Sequence, residues 1–206
     1  MKKSNSKRWL KEYFSDIYVK RAKREGLRAR SVYKLMEINK RCRIIKPNTV
    51  IVDLGASPGG WSKYVAQIVG QNGKVFAVDM LYMHQIKGVE FIRGDFAKSE
   101  ISQCLYDCLR DQKVDVVLSD MAPNLSGVKV TDQMLAIDLA DKALDFSHKV
   151  LKKRGTFLIK LFHGMGFKEF LYRLRENFSD VKEIKPGASR SRSSEVFLLA
   201  RGFCEV

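Results

Sequence analysis

The sequence predicts one α/β domain built on a mostly parallel sheet with helices on both faces, and three observations predict it. Short apolar runs alternate with stretches of helical periodicity, a glycine-rich turn directly follows the first run, and polar residues close or follow five of the runs. A parallel strand reads as a short continuous apolar run because helices cover both of its faces.

In chain order, the expected strands are residues 49–54, 74–79, 89–93, 114–119, 155–160 and 195–200, each bounded by Gly, Asp or Asn. Helices are expected near residues 60–69, 98–111, 131–152 and 166–177. In the third of these, Leu135, Leu139, Ala143, Leu144 and Phe146, with Val150 and Leu151 after them, fit one face of a crossover helix, which Gly155 then breaks. This alternation is the pattern of a layered α/β fold. Ligands of such sheets bind beyond the carboxyl ends of the strands, so Asp53, Asp79, Asp95, Asp120 and Lys160 become site candidates.

A chain of 206 residues, 45% hydrophobic, can bury one substantial core. The expected division is a basic arm with helices over residues 1–46 and a compact domain over residues 47–206. No run of about 18 apolar residues occurs, and the lysine-rich start lacks the apolar stretch of a signal peptide, so no membrane contact and a cytoplasmic location are expected. Four cysteines without a C-x-x-C pair and three scattered histidines predict no metal site. No heptads suggest a coiled-coil partner, and a monomer is expected.

The chain carries 38 Lys and Arg against 23 Asp and Glu, a net +15. Residues 1–46 hold 16 basic and 4 acidic side chains, a net +12, which leaves 22 minus 19, or +3, for the rest. Charge concentrated at one end is the footprint of a polyanion partner, with Lys20, Arg21, Lys23, Arg24, Arg28 and Arg30 as candidate phosphate contacts. Trp9, Tyr13, Phe14, Tyr18 and Tyr33 are interleaved with these cations and offer stacking faces for nucleobases. The competing reading is a solvated basic helix that packs its aromatics inward.

Residues 50–61 read V-I-V-D-L-G-A-S-P-G-G-W, a strand, a turn and a helix start. The glycines, Gly55 and Gly59 among them, let the main chain approach a ligand. The spacing is neither G-x-G-x-x-G nor a P-loop. Pro58 offers no N–H, which suits a ligand less demanding than a pyrophosphate. Asp79 ends the next strand 20 residues after Gly59, where a carboxylate can take both ribose hydroxyls of an adenosine, and Asp95 follows in Gly94-Asp95-Phe96. Together these features imply a nucleoside-bearing ligand; three unrelated tight turns are the plainer alternative.

The segments D-L-G-A-S-P-G-G-W-S, G-D-F, S-D-M-A-P-N-L-S-G and S-R-S-R-S-S-E closely resemble the FtsJ/RrmJ (RlmE) family of ribosomal-RNA 2′-O-methyltransferases, from about Lys7 to Ala200. The resemblance implies a Rossmann-like sheet of seven strands with the last antiparallel, and S-adenosylmethionine as cofactor. It places Gly59 and Trp61 at the methionine end, Asp79 on the ribose, Asp95 facing the adenine and Asp120 beside the reacting end, with Asp53, Gly55 and Pro58 in the same loop system. Ser57 and His163 stand where relatives often carry alanine and glutamine.

A ribose 2′-hydroxyl is too weak an acid to lose its proton unaided near neutral pH, so methyl transfer to it needs a base. The family's Lys-Asp-Lys-Glu tetrad has counterparts in Lys34, Asp120, Lys160 and Glu195. The resemblance implies that Lys160 takes the proton, Asp120 and Glu195 orient it, and Lys34 steadies the developing alkoxide. A lysine acts as base only when neutral, which a neighbouring cation favours and Asp120 opposes. Arg190 and Arg192, in the Ser/Arg-rich loop before Glu195, are expected to hold target-strand phosphates.

The family's target implied here is a uridine ribose of large-subunit rRNA, in the assembled subunit. Three readings compete. Relatives of this fold modify transfer RNA or messenger-RNA caps; a degenerate methyltransferase fold can serve as a non-catalytic ribosome assembly factor; a small-molecule methyltransferase would share the cofactor loop but have no use for a +12 arm.

Overall fold

A computed structural model describes residues 16–124, 126–190 and 192–204. Trp9, Tyr13 and Phe14 of the arm lie outside them. The described chain opens with helices α1 (Ile17–Arg24) and α2 (Val32–Cys42). It continues as β1 (Val50–Leu54), α3 (Gly60–Val69), β2 (Lys74–Asp79), β3 (Val89–Arg93), α4 (Ser99–Leu109), β4 (Val114–Ser119), α5 (Lys129–Val150) and β5 (Leu151–Phe162). Helix α6 (Phe167–Asn177) and strands β6 (Phe178–Ile184) and β7 (Glu195–Phe203) complete it.

The strands form one seven-stranded sheet in the order β3-β2-β1-β4-β5-β7-β6. Strands β1 to β5 pair in parallel, and β7 runs antiparallel to both β5 and β6. The expected class and the antiparallel last strand therefore hold. The chain reverses direction across the sheet between β1 and β4, which puts the crevice for a ligand at the carboxyl ends of those strands.

Side-chain alternation splits the core cleanly. Val52, Leu54, Val117, Phe157, Ile159, Val196 and Leu198 point to the face covered by α4, α5 and α6. Ile51, Val116, Leu118, Leu158, Phe197 and Leu199 point to the face covered by α2 and α3. All five residues of β1 are buried, as a central parallel strand requires.

Three differences from the sequence pattern have physical causes. Strand β6 was not expected, because F-S-D-V-K-E-I at the sheet edge carries charge on its open side and buries only Phe178 fully. Strand β5 begins at Leu151, four residues before Gly155, so the expected helix end is a strand start. Leu135 is 43% exposed, because the first turns of α5 pack only partly and its fully buried residues begin at Ala140.

The described part of the arm, from Asp16 on, is tied to the domain. Asp16 caps α1 by accepting from the Tyr18 N–H at 2.9 Å, and it also pairs with Arg30, which in turn donates to the Ala188 carbonyl of the late loop. The Trp61 indole N–H donates to the Ser31 carbonyl at 2.9 Å, locking α3 to the start of α2.

Candidate active site

At the carboxyl ends of β1, β2 and β4 lies a cleft of about 270 Å³, walled by Gly55, Ser57, Asp79, Asp95, Asp120 and Leu139 among others. Gly55 has φ +82°, and a Cβ there would stand 2.8 Å from the Met121 backbone N, so both backbone conformation and space demand glycine. The turn can thus fold flat between the strand ends.

Asp79 is held in place by main chain: one oxygen accepts from Ser57 N and the other from Leu81 N, both at 2.8 Å. Each oxygen keeps a lone pair for a further donor. Asp95 accepts from Ala97 N at 3.0 Å, an Asx turn that aims its carboxylate at the same cleft. Val78, Met80, Phe96 and Leu139 add apolar wall. Two fixed carboxylates on an apolar trough suit the ribose and the base of an adenosine, so the donor set fits the cofactor that the sequence implies.

The remaining loop residues stand behind this wall. Gly59 faces Met83, Ile86 and Arg28, and the Pro58 carbonyl accepts from Arg28 at 3.1 Å. Trp61, expected at the methionine end, is 2% exposed and packs on Phe197 with ring centroids 5.9 Å apart, so it supports the loop from the core instead of lining the cleft. Asp53 is wholly buried; its Oδ2 accepts from the Ser62 hydroxyl at 2.6 Å, and its Oδ1 has no partner among the described residues.

Burial pushes the Asp53 carboxyl up to about 7, the Ser62 hydrogen bond opposing the rise and the charges of Asp120 and Asp79 adding to it. A carboxyl raised above its ordinary 3.8 destabilises the fold as it ionises, so stability falls as pH climbs from about 4 to about 7. Asp53→Asn, which keeps an acceptor for Ser62, is therefore expected to be more stable than the parent at pH 8, by of order 1–2 kcal/mol, with no gain at pH 4. Urea unfolding at the two pH values measures this; an equal gain at both would mean that the carboxyl does not ionise over that range.

Beyond the cleft, Lys34, Asp120, Lys160 and Glu195 come together as two ion pairs although they are far apart in sequence. Lys160, near the carboxyl end of β5, places its ammonium 2.8 Å from Asp120 Oδ1 and 2.7 Å from the Asp120 carbonyl. Lys34, from α2, lies 2.5 Å from Glu195 Oε1 at the start of β7. All four side chains are 10–18% exposed. Burial pushes the Glu195 carboxyl up, but Lys34, the Ser189 hydrogen bond and the Lys160 charge together outweigh it and hold the group below its ordinary value. An alternating array of two cations and two anions is neutral overall, and in it each ammonium is oriented by a carboxylate.

Two contributors were missed from sequence, and a third, Arg28, was expected in another role. The Ser189 hydroxyl donates to Glu195 Oε1 at 2.7 Å; it opens the S-R-S-R-S-S-E segment, which was the available signal. Phe197 carries the Lys34 ammonium 5.8 Å above its ring. Arg28 donates to the carbonyls of Pro58, His84 and Gln85, so it clamps the back of the cofactor loop.

The proposed phosphate contacts divide accordingly. Lys20, Lys23 and Arg24 are exposed on α1, whereas Arg21 pairs with Glu25 at 2.7 Å. Arg28 and Arg30 are spent on carbonyls and on Asp16, and Arg190 sits 3.8 Å from Asp16. Arg192 is exposed and already interacts within the chain. Tyr33 is 6% exposed, its hydroxyl bonded to Glu25, and Tyr18 lies 5.5 Å from it, so these two aromatics pack inward as the competing reading had it.

Among the described residues, no group of three or more His, Cys, Asp or Glu could hold a metal ion, and no helix is long and apolar enough to cross a membrane.

Residues 27–203 match the model of the FtsJ-like methyltransferase family. The chain is 48% identical over 199 residues to the ribosomal RNA large subunit methyltransferase E of Marinobacter nauticus, covering 97% of this chain and 96% of that one. It is likewise 48% identical over 198 residues to the protein of the same name from Pseudomonas aeruginosa, covering 96% of each. Among solved structures, one described as a ribosomal RNA methyltransferase from Plasmodium falciparum superposes with a TM-score of 0.76 at 27% identity, covering 85% of this chain and 98% of that one.

Proposed function

This chain belongs to the FtsJ-like methyltransferase family, and on that footing we propose that it transfers a methyl group from S-adenosylmethionine to the ribose 2′-hydroxyl of a uridine in large-subunit rRNA, in the assembled subunit. The observation that carries the reading is the adjacency of the two-carboxylate cleft to the Lys160–Asp120 and Lys34–Glu195 pairs.

The bound cofactor supplies an electrophilic methyl carbon on a sulfonium. The chain's own residues do the rest. Asp79 and Asp95 hold the nucleoside, and Asp120, which walls the cleft and also touches the Lys160 ammonium, links cofactor to base. Lys160, once neutral, would take the 2′-hydroxyl proton and leave the oxygen free to accept the methyl group. Lys34, fixed by Glu195, offers positive charge to the oxygen as it becomes anionic. Enclosure of the four charges strengthens each interaction over its value in water.

The test is to incubate the protein with radiolabelled cofactor and large ribosomal subunits from cells lacking it, then to map the modified nucleotide. Label on one uridine ribose supports the reading. Label on a base, on transfer RNA or on protein would replace it.

The arm adds an electrostatic prediction. Lys20, Lys23 and Arg24 are exposed and make no ion pair among the described residues, so changing all three to Gln should flatten the plot of log affinity for rRNA against log salt by about 2. Filter binding over a range of KCl measures it, and an unchanged slope would remove α1 from the RNA interface.

A further inference from the structure

Among the described residues, a cluster of four free cations lies away from the active site, at the amino-terminal pole of the sheet. There Leu151 pairs with Val114 and Thr156 with Val116, so β5 advances five residues while β4 advances two. The three surplus residues fall in the segment Lys152, Lys153, Arg154 and Gly155, and they push outward as a bulge. Arg154 holds a left-handed φ of 65°, and Gly155 closes the loop where a Cβ would stand 2.8 Å from the Lys152 carbonyl.

Facing the bulge is the end of α2, where Arg43 holds a second left-handed φ of 51°, and then Lys46. Between them is a cavity of about 340 Å³ lined by Arg43, Lys46, Lys152, Lys153, Arg154 and Arg201, with Asp115 as its one carboxylate. Asp115 is already used, accepting from Val50 N and from Lys152, each at 2.8 Å, and Arg201 is paired with Asp180 at 3.0 Å. Arg43, Lys46, Lys153 and Arg154 are exposed, and their side chains have no ion pair or hydrogen bond among the described residues. Four unpaired cations around one concavity repel each other, and an anion with several charges relieves that repulsion.

We infer that this cavity is a second RNA-backbone site, which takes the phosphates of an rRNA segment distinct from the one presented to Lys160. Thr156, where regular pairing resumes after the bulge, is four residues before Lys160 along β5, roughly 13 Å away at the rise of a strand, and the bulge lies beyond it at the opposite pole of the sheet, so one nucleotide cannot reach both places. Small-anion binding would need one or two cations; four spread over a bulge and a helix end match successive phosphates. Two separated contacts on one folded RNA raise affinity for the assembled target over that for short strands. The inference rests on the RNA-methyltransferase reading above.

The test compares the wild type with Lys153→Gln/Arg154→Gln and with a control of equal charge change on α6, Lys168→Gln/Arg175→Gln, all four positions being exposed. Affinity for large ribosomal subunits and for protein-free large-subunit rRNA is measured across KCl concentrations, and methylation of the subunit is followed by kcat and KM. The bulge variant should raise KM for the subunit about 5–10-fold with kcat unchanged, and should flatten the salt slope by about 1.5 on both substrates, while the control does neither. Equal effects in variant and control would overturn the inference, as would a loss confined to the subunit, which would mean a ribosomal protein partner. Displacement of rRNA by inorganic phosphate at matched ionic strength would reduce the cavity to a free-anion site. A wild type that binds rRNA but methylates nothing would fail the functional reading and leave the salt comparison to decide this one.

Discussion

Lys160→Ala is expected to slow single-turnover methyl transfer by about 10²–10⁴-fold while cofactor affinity changes little. The reason lies in where the residue sits. Lys160 sits near the carboxyl end of β5 with its ammonium on Asp120, to one side of a cleft whose other carboxylates are Asp79 at the end of β2 and Asp95 just beyond β3. Removing it takes away a proton acceptor and leaves the cofactor walls intact. Lys160→Arg separates base from bystander, since a guanidinium keeps the charge but does not give it up. If Lys160 only supplied positive charge, the arginine variant would retain most of the rate; if it is the base, both variants fail alike. Lys34→Ala assayed beside them assigns the second lysine, with a smaller loss expected for a group that stabilises charge without moving the proton. Near-normal turnover in Lys160→Ala would remove the base assignment altogether.

The sequence carried the cleft well and its surroundings poorly, and the division follows contact range. Asp79, Asp95 and Asp120 could be named because each stands at or just beyond the end of an apolar run, and the topology of a parallel sheet gathers strand ends on one edge. Lys34 and Glu195 are 161 residues apart, and nothing local marks either; only the family resemblance put them in one tetrad, and it had Glu195 orienting Lys160, whereas the carboxylate lies on Lys34. The resemblance put Trp61 at the methionine end, but helix α3 turns its side chain under the sheet, where Ser31 and Phe197 receive it. Arg28 and Arg30 had the composition of phosphate contacts, yet carbonyls and a carboxylate that fold in from distant loops take their donors. Cations whose partners are distant in sequence cannot be told from free ones by charge alone. The same limit hid the bulge at Lys152–Gly155, visible only once β5 is seen to begin at Leu151.

Lys34→Met should destabilise the fold by about 3 kcal/mol, near the low end for breaking a buried ion pair, because Lys160 still tempers the stranded Glu195 charge. The pair is 12% and 13% exposed, so water cannot replace the lost partner. The double variant Lys34→Met/Glu195→Gln removes both charges and should recover most of the loss, since the Ser189 hydroxyl can still donate to the amide oxygen. The effect has a pH signature. Glu195 is held below its ordinary 4.5, so the stability it brings is present above that value and disappears as pH falls through the depressed one. In Lys34→Met the depression weakens, and the acid-side loss of stability specific to this carboxylate should shrink with it. Urea unfolding of parent, single and double variants from pH 3 to pH 7 tests both statements. Additive losses, with the double variant worse than either single one, would mean that the two side chains act independently. Glu195 would then have to be oriented by Ser189 alone, and Lys34 would be free to move with the substrate instead of standing ready for the alkoxide.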